Sequence, residues 1–136
     1  MEYSVEEARS IFMNDRYAMD TTGIDILEVA DGYAKCCFKL EDKHRNALGS
    51  VMGGALFTLA DFVFAVATNY NKPYSTVTSV SSISYLRGCR DGMIYAESRK
   101  IHNGRVSCTY EVDIKSGEGK LLAVENIHGI HIPKDK

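Results

Sequence analysis

At 136 residues the chain has the length of one domain and can bury a core without disulfides or structural metals. Sixteen Lys and Arg against eighteen Asp and Glu give a formal net charge of -2, which leaves no footprint for nonspecific binding to nucleic acid or membranes. A hydrophobic share of 45% beside 25% charged residues is that of an ordinary soluble protein.

Met1 leads into the acidic, polar EYSVEEARS, so no secretory signal is visible and a cytoplasmic location is expected. Ser4 followed by Glu7 reads as a capping box, and Val5, Ala8, Ile11 and Phe12 form a helical stripe over about residues 4–14. Asp15 to Asp20 is a polar link. Ile24 to Ala30 alternates as a strand, Asp31-Gly32 turns the chain, and Tyr33 to Leu40 completes an antiparallel hairpin. Glu41 to Ser50 is polar, without period, and reads as a loop.

The central helix, about residues 52–69, is apolar around its whole turn, with Leu56, Phe57, Leu59, Phe62, Val63, Phe64 and Val66. That is the pattern of a helix buried on all sides. Asp61 at its centre and the pair Gly53-Gly54 at its start argue against a membrane span. A buried, unpaired carboxylate costs several kcal/mol, so Asp61 must be hydrogen-bonded, protonated or facing a cavity that uses it. Each glycine weakens a helix by about 1 kcal/mol unless something must approach the backbone.

Lys72-Pro73 ends the helix and Thr76 to Leu86 reads as a strand. Gly88 to Gly92 turns into Met93 to His102, Asn103-Gly104 marks a hairpin into Arg105 to Lys115, and Ser116 to Gly119 turns into Leu121 to Ile132 before Pro133 and a charged tail. Hairpin turns are thus expected throughout the second half. No repeat or linker divides the chain, so residues 1–136 are read as one domain. The expected fold class is α+β: a curved antiparallel sheet of about six strands wrapped around one long central helix. A sheet face and parts of the helix would still need cover, which predicts a dimer or higher oligomer. Cys36, Cys37, Cys89 and Cys108 show no zinc-like spacing and are expected as buried free thiols. His102, His128 and His131 read as strand or turn residues; the last two face opposite sides, against a paired metal site.

Taken together, Asn46-x-x-Gly49, Gly53-Gly54, Phe57-x-Leu59-Ala60-Asp61, Tyr85-Leu86-Arg87 and Gly104-Arg105 resemble the hotdog-fold acyl-CoA thioesterases of the phenylacetate-pathway type. The likeness runs from about Gly23 to Ile130. Two positions depart from the family: Met52 stands where a histidine usually precedes the glycines, and Gly88 where a proline usually follows Tyr-Leu-Arg.

The resemblance implies hydrolysis of acyl-CoA, with Asp61 as general base or nucleophile and the N–H of Gly54, with Gly53, as oxyanion hole. Thioester hydrolysis needs such parts: an attacking water or carboxylate, and donors where charge develops on the carbonyl oxygen. It further implies that Asn46 orients the water or contacts the carbonyl from the opposite subunit of a homodimer or homotetramer, and that Thr78 or Ser79 assists the water, one residue of register leaving the choice open. Arg87, Arg90, Arg99, Lys100 and Arg105 are candidates for the phosphates of coenzyme A, which enters as part of the substrate. No metal or further cofactor is called for.

Blander roles stand beside these. Asp61 could satisfy structural donors, Asn46 could cap a turn, Thr78 and Ser79 could be plain strand residues, and any one basic residue could be a solvated strand end. Phe57, Phe62 and Phe64 fill either pocket or sheet, and Met52 is an adaptable apolar filler. His44 could line the pocket mouth or replace the missing histidine. Met52 motivates an alternative, a non-catalytic acyl-CoA-binding module. A hotdog dehydratase or hydratase would need a histidine at the helix start paired with an acid.

Overall fold

A computed structural model describes residues 2–134; of the charged tail, Asp135 and Lys136 lie outside the described residues. The chain opens with α1, Val5–Phe12, which ends before Asn14. Its cap is only half the expected box. Ser4 Oγ accepts the Glu7 N–H at 3.2 Å, but Tyr70, just beyond the central helix, takes the other half: its hydroxyl donates to Glu7 at 2.5 Å and accepts the Ser4 N–H at 3.1 Å. The expected link after α1 instead contains a π-helical turn, Tyr17–Thr21, that buries Ala18. A short 3-10 turn, Asp42–His44, likewise structures the loop before the central helix.

Six strands follow the sequence pattern closely: β1 Asp25–Ala30, β2 Tyr33–Lys39, β3 Tyr74–Tyr85, β4 Met93–Asn103, β5 Ser107–Ser116 and β6 Leu121–Pro133. All neighbours are antiparallel, in the order β1-β2-β4-β5-β6-β3. One expectation is corrected. Gly88 to Gly92 is not a hairpin turn, because β3 pairs with β6 while β4 pairs with β2 and β5. The segment is a crossover from the sheet edge to its middle. It is tied at both ends: the N–H groups of Leu86 and Arg87 both reach the Leu122 carbonyl, and the Val51 N–H reaches that of Cys89 at 2.8 Å.

The helix α2, Gly53–Asn69, lies across the concave side of the sheet. Leu56, Leu59, Phe62, Val63, Phe64 and Val66 are buried there, each worth about 1.5–3 kcal/mol as apolar surface removed from water. Phe64 meets Tyr110 of β5 edge-on at 5.5 Å and Phe62 meets Phe12 of α1 at 6.0 Å, so both fill core. Yet α2 is not buried on all sides. Gly54 and Asp61 are exposed and Thr58 and Ala65 only half-buried, an open stripe along one face. Small residues count as apolar in a sequence pattern whichever way they point, which is why the stripe looks like core. Asp61 is therefore a carboxylate at the surface of the single chain.

The sheet packs tightly where α2 crosses it. A Cβ on Gly129 of β6 would come within 2.8 Å of both Phe64 Cζ and Thr76 Cγ2, and 3.2 Å of Cys108 Sγ. Gly129→Ala is expected to lower unfolding free energy in urea by about 1–3 kcal/mol, the usual cost of overpacking.

Glu125, on the same face of β6 as the buried Ala123 and Ile127, is an acid inside the core. It is wholly buried, and neither carboxyl oxygen has a hydrogen-bond partner among the described residues. Burial first, and the Asp61 charge second, push its pKa up to about 8; the Ser81 hydroxyl acts the other way without making a bond of acceptable geometry. A carboxyl pKa raised by folding gives stability that is present below the ordinary carboxylate range and is lost as pH climbs through about 8. The melting temperature is accordingly expected to fall between pH 5 and pH 8.5 in the wild type and to fall less in Glu125→Gln, read by thermal denaturation across that range.

Candidate active site

The loop before α2 is built by Asn46. Its Oδ1 accepts the N–H groups of Leu48 at 2.9 Å and Ser50 at 3.1 Å, while its backbone bonds to Ser50 and Gly49. Gly49 sits at φ +88, and a side chain there would collide with Arg90 Nη1 at 2.7 Å. Because the loop uses both lone pairs of Oδ1, the free end of the Asn46 side chain is its NH2. Asn46 is thus both a turn-former and a donor.

That donor borders a cleft of about 420 Å³ lined also by Ser50, Gly53, Leu56, Tyr85 and Arg87. The first turn of α2 forms one wall. Met52 is its N-cap residue and provides no side-chain cap; Ala55 and Leu56 direct their N–H groups to the Met52 carbonyl, and those of Gly53 and Gly54 have no acceptor among the described residues. Free donors at the positive end of a helix dipole favour an anion. The two glycines differ. A Cβ on Gly53 would lie 2.9 Å from the Tyr85 ring, whereas one on Gly54 would meet nothing closer than the Met52 side chain at 3.9 Å. A side chain would thus be crowded at Gly53 and not at Gly54.

Asp61 faces a different cleft of about 360 Å³, with Asp15, Tyr17, Thr58 and Phe62. Although the carboxylate reaches the surface, the walls of this cleft strip part of its water, and that first, then the Asp15 carboxylate, raises its pKa above the ordinary range. It lies two turns along α2 from Gly54, about 10 Å by helix rise. A carbonyl held at Gly54 is out of reach of Asp61 on the same chain, since reacting atoms must stand about 3–3.5 Å apart. Within the single chain Asp61 and Gly53 line different clefts.

Ser79 is the extra residue of a bulge between Thr78 and Val80, and its Oγ donates to the His128 carbonyl at 3.1 Å. Thr78 stands opposite Gly129, which puts its side chain on the helix side of the sheet. Both are exposed on β3, and neither lines the two clefts. Of the five basic residues, Arg87 lines the Asn46 cleft and Arg90 donates to the Leu48 carbonyl at 3.0 Å beside it. Arg99 is engaged by Glu111 at 2.8 Å and Asp113 at 3.0 Å. With Lys100 and Arg105 it lies towards the other end of β4, about 20 Å away at strand rise.

His44 does not replace the family histidine. It is buried, its Nδ1 accepts the Glu41 N–H at 2.9 Å and its Nε2 donates to the Thr22 carbonyl at 2.7 Å, so both nitrogens are spent. His128 pairs with Thr109, and His131 with Thr76 and Asn103. Among the described residues no group of three or more His, Cys, Asp or Glu side chains is placed to hold a metal ion, and no helix is long and apolar enough to cross a membrane. Two residues at the site were missed from sequence. Tyr85 was visible only as part of a motif, and Glu125 carried no signal beyond being an acid in an apolar strand.

Comparison with known proteins gives the fold a family. The thioesterase superfamily matches residues 48–123, which include Gly53, Gly54, Asp61, Tyr85 and Arg87. A putative esterase of Archaeoglobus fulgidus is 30% identical over 121 residues, covering 88% of this chain and 78% of that one. The acyl-coenzyme A thioesterase PaaI of Escherichia coli is 30% identical over 120 residues, covering 88% of this chain and 84% of its own; its solved structure superposes with a TM-score of 0.82 at 25% identity, covering 95% and 96%. A hypothetical thioesterase of Streptococcus pneumoniae, solved with coenzyme A, shares the fold with a TM-score of 0.82 at 23% identity, covering 92% and 99%. The chain has the hotdog fold and belongs to the thioesterase superfamily.

Proposed function

We propose that this protein hydrolyses acyl-CoA thioesters to the free acid and coenzyme A, at a site completed by a second copy of the chain. One observation carries the reading. Gly54 and Asp61 lie on the same open face of α2, but Asn46 and Gly53 line one cleft and Asp61 another, and β3 ends the sheet with an outer edge that is unpaired among the described residues. A twofold pairing through that edge would set the Asn46 and Gly54 donors of one chain against Asp61 of the other.

The chemistry then follows from the residues. Asp61 takes a proton from water as the oxygen attacks the thioester carbon, or attacks it directly to form an anhydride that water opens. Negative charge gathers on the carbonyl oxygen, where the Gly54 N–H and the Asn46 NH2 receive it. Collapse breaks the carbon–sulfur bond; on the general-base path the proton held by Asp61 passes to the departing thiolate, and on the anhydride path the water that opens the anhydride supplies that proton, so either path restores the carboxylate. None of these steps calls for a metal. Arg87 and Arg90, with Lys120 in an adjoining cleft of about 360 Å³, offer cations to the phosphates of coenzyme A, the group present in the Streptococcus pneumoniae relative. The four free thiols suit a reducing, cytoplasmic setting.

A non-catalytic acyl-CoA-binding module is the second reading. It is favoured by Met52, 52% exposed at the helix start, where a polar group would otherwise meet the substrate. A dehydratase is disfavoured because His44 has no free nitrogen.

Asp61→Asn is expected to lower kcat by about 10²–10⁴ while a non-hydrolysable acyl-CoA analogue still binds, measured by free-thiol release and calorimetry. Wild type without turnover on a broad acyl-CoA panel, yet binding the analogue, would move the assignment to the binding module. The rate of the wild type should rise with pH through a pKa above the ordinary carboxylate range, because Asp61 must be ionised to act and its pKa is raised. Asn46→Asp keeps the oxygen that organises the loop but replaces the donor with a negative charge. It should preserve the melting temperature and cut kcat by about 10²–10³.

A further inference from the structure

The hydroxyl of Tyr85, the last residue of β3, donates to the Gly53 carbonyl oxygen at 3.0 Å. That carbonyl and the Gly54 N–H are the two ends of one planar peptide. We infer that Tyr85 is a positioning residue for the oxyanion-binding amide: its hydrogen bond fixes the Gly53–Gly54 peptide and polarises it, so that the N–H offered to the thioester oxygen is better aimed and a stronger donor.

Several observations converge on this role. In the α-helical pattern the Gly53 carbonyl takes one N–H from the following turn, and its second lone pair is the one Tyr85 occupies. Hydrogen bonds in series strengthen one another, and here the bond is made by a phenol that is 52% exposed in the single chain. The Tyr85 ring also covers Gly53 so closely that a Cβ there would stand 2.9 Å from Cζ and 3.0 Å from the hydroxyl. Gly53 is therefore glycine to admit the tyrosine, and Gly54 is glycine to admit the ligand.

Nor is Tyr85 a loose surface side chain. It pairs with Ala123 of β6, and the next two backbone N–H groups converge on the Leu122 carbonyl at 2.8 and 3.2 Å. The strand end thus holds the phenol in place at the cleft wall, where it also lines the space beside Asn46. Burial and the nearby Glu125 carboxyl push the phenol pKa upward, which keeps it a donor throughout the working pH range. The hydroxyl never needs to touch the substrate. It acts on the far end of the peptide that does.

This inference rests on the thioesterase reading, and Tyr85→Phe tests it separately, because phenylalanine keeps the ring over Gly53 and removes only the hydrogen bond. Expected are a kcat lower by about three- to tenfold with KM within about twofold, an unchanged melting temperature, and a displaced Gly54 amide resonance in the ¹H–¹⁵N spectrum, since that nitrogen reports on its own peptide's carbonyl. If wild type turns over acyl-CoA and Tyr85→Phe keeps its kcat within twofold, the role of Tyr85 is overturned while the thioesterase reading stands. A loss carried by KM, or accompanied by a matching fall in melting temperature, overturns it too, because that is what a merely structural residue would give. Wild type inert towards every acyl-CoA sinks both.

Discussion

Helix α2 can be covered by its own sheet on one side only. Leu59, Phe62, Val63 and Phe64 fill the concave face, and the antiparallel order puts β3 at an edge beside what remains. The remaining face is narrow and made of small or polar residues, Gly54, Thr58, Asp61 and Ala65, so exposing it costs little in the isolated chain. It is also the face that carries Gly54 and Asp61, to which the proposed chemistry is assigned. A helix packed from all sides would have no oxyanion-binding terminus open to a ligand, and one packed less firmly could not hold Gly54 and Asp61 at a fixed separation of two turns. The edge strand β3, with Val77 and Val80 exposed and its outer backbone groups unpaired among the described residues, presents the kind of edge that pairs with another strand.

Much of this was legible beforehand, for identifiable reasons. Alternation and turn chemistry located all six strands to within two residues, because Asp31-Gly32 and Asn103-Gly104 are strong turn formers flanked by β-branched residues. Gly88 to Gly92 misled because local composition marks a change of direction but not which strand receives the chain; that choice is made by long-range pairing of β3 with β6. The burial of α2 was overstated because glycine, alanine and threonine are compatible with either side of a helix. Even so, Asp61 and the paired glycines drew attention as features that a purely structural helix would avoid.

The site residues divide on similar lines. Asn46 and Arg87 line one cleft with Gly53 of the same chain. Arg99, Lys100 and Arg105 do not, because a basic residue's position along a strand says nothing about which end of the sheet holds the ligand. His44 illustrates the opposite case: adjacent in sequence to the site, it is spent on two backbone groups below the loop. Tyr85 and Glu125 were invisible in role since each depends on a partner far away in the chain, Gly53 in one case and the underside of α2 in the other. Glu125 is an acid without a hydrogen-bond partner among the described residues, so the proposed general base Asp61 stands near a second carboxyl whose pKa is pushed up to about 8.

The division of the site between two chains is the central claim, and subunit mixing tests it most directly. Asp61→Asn and Asn46→Asp subunits, each inactive alone, are co-expressed with different tags and the doubly tagged dimers are isolated. Every such dimer has one site with both residues intact and one with neither, so thiol release should recover to about half the wild-type rate per dimer. Activity no higher than that of the two parent variants would contradict a shared site and place Asp61 and Asn46 within one chain's chemistry.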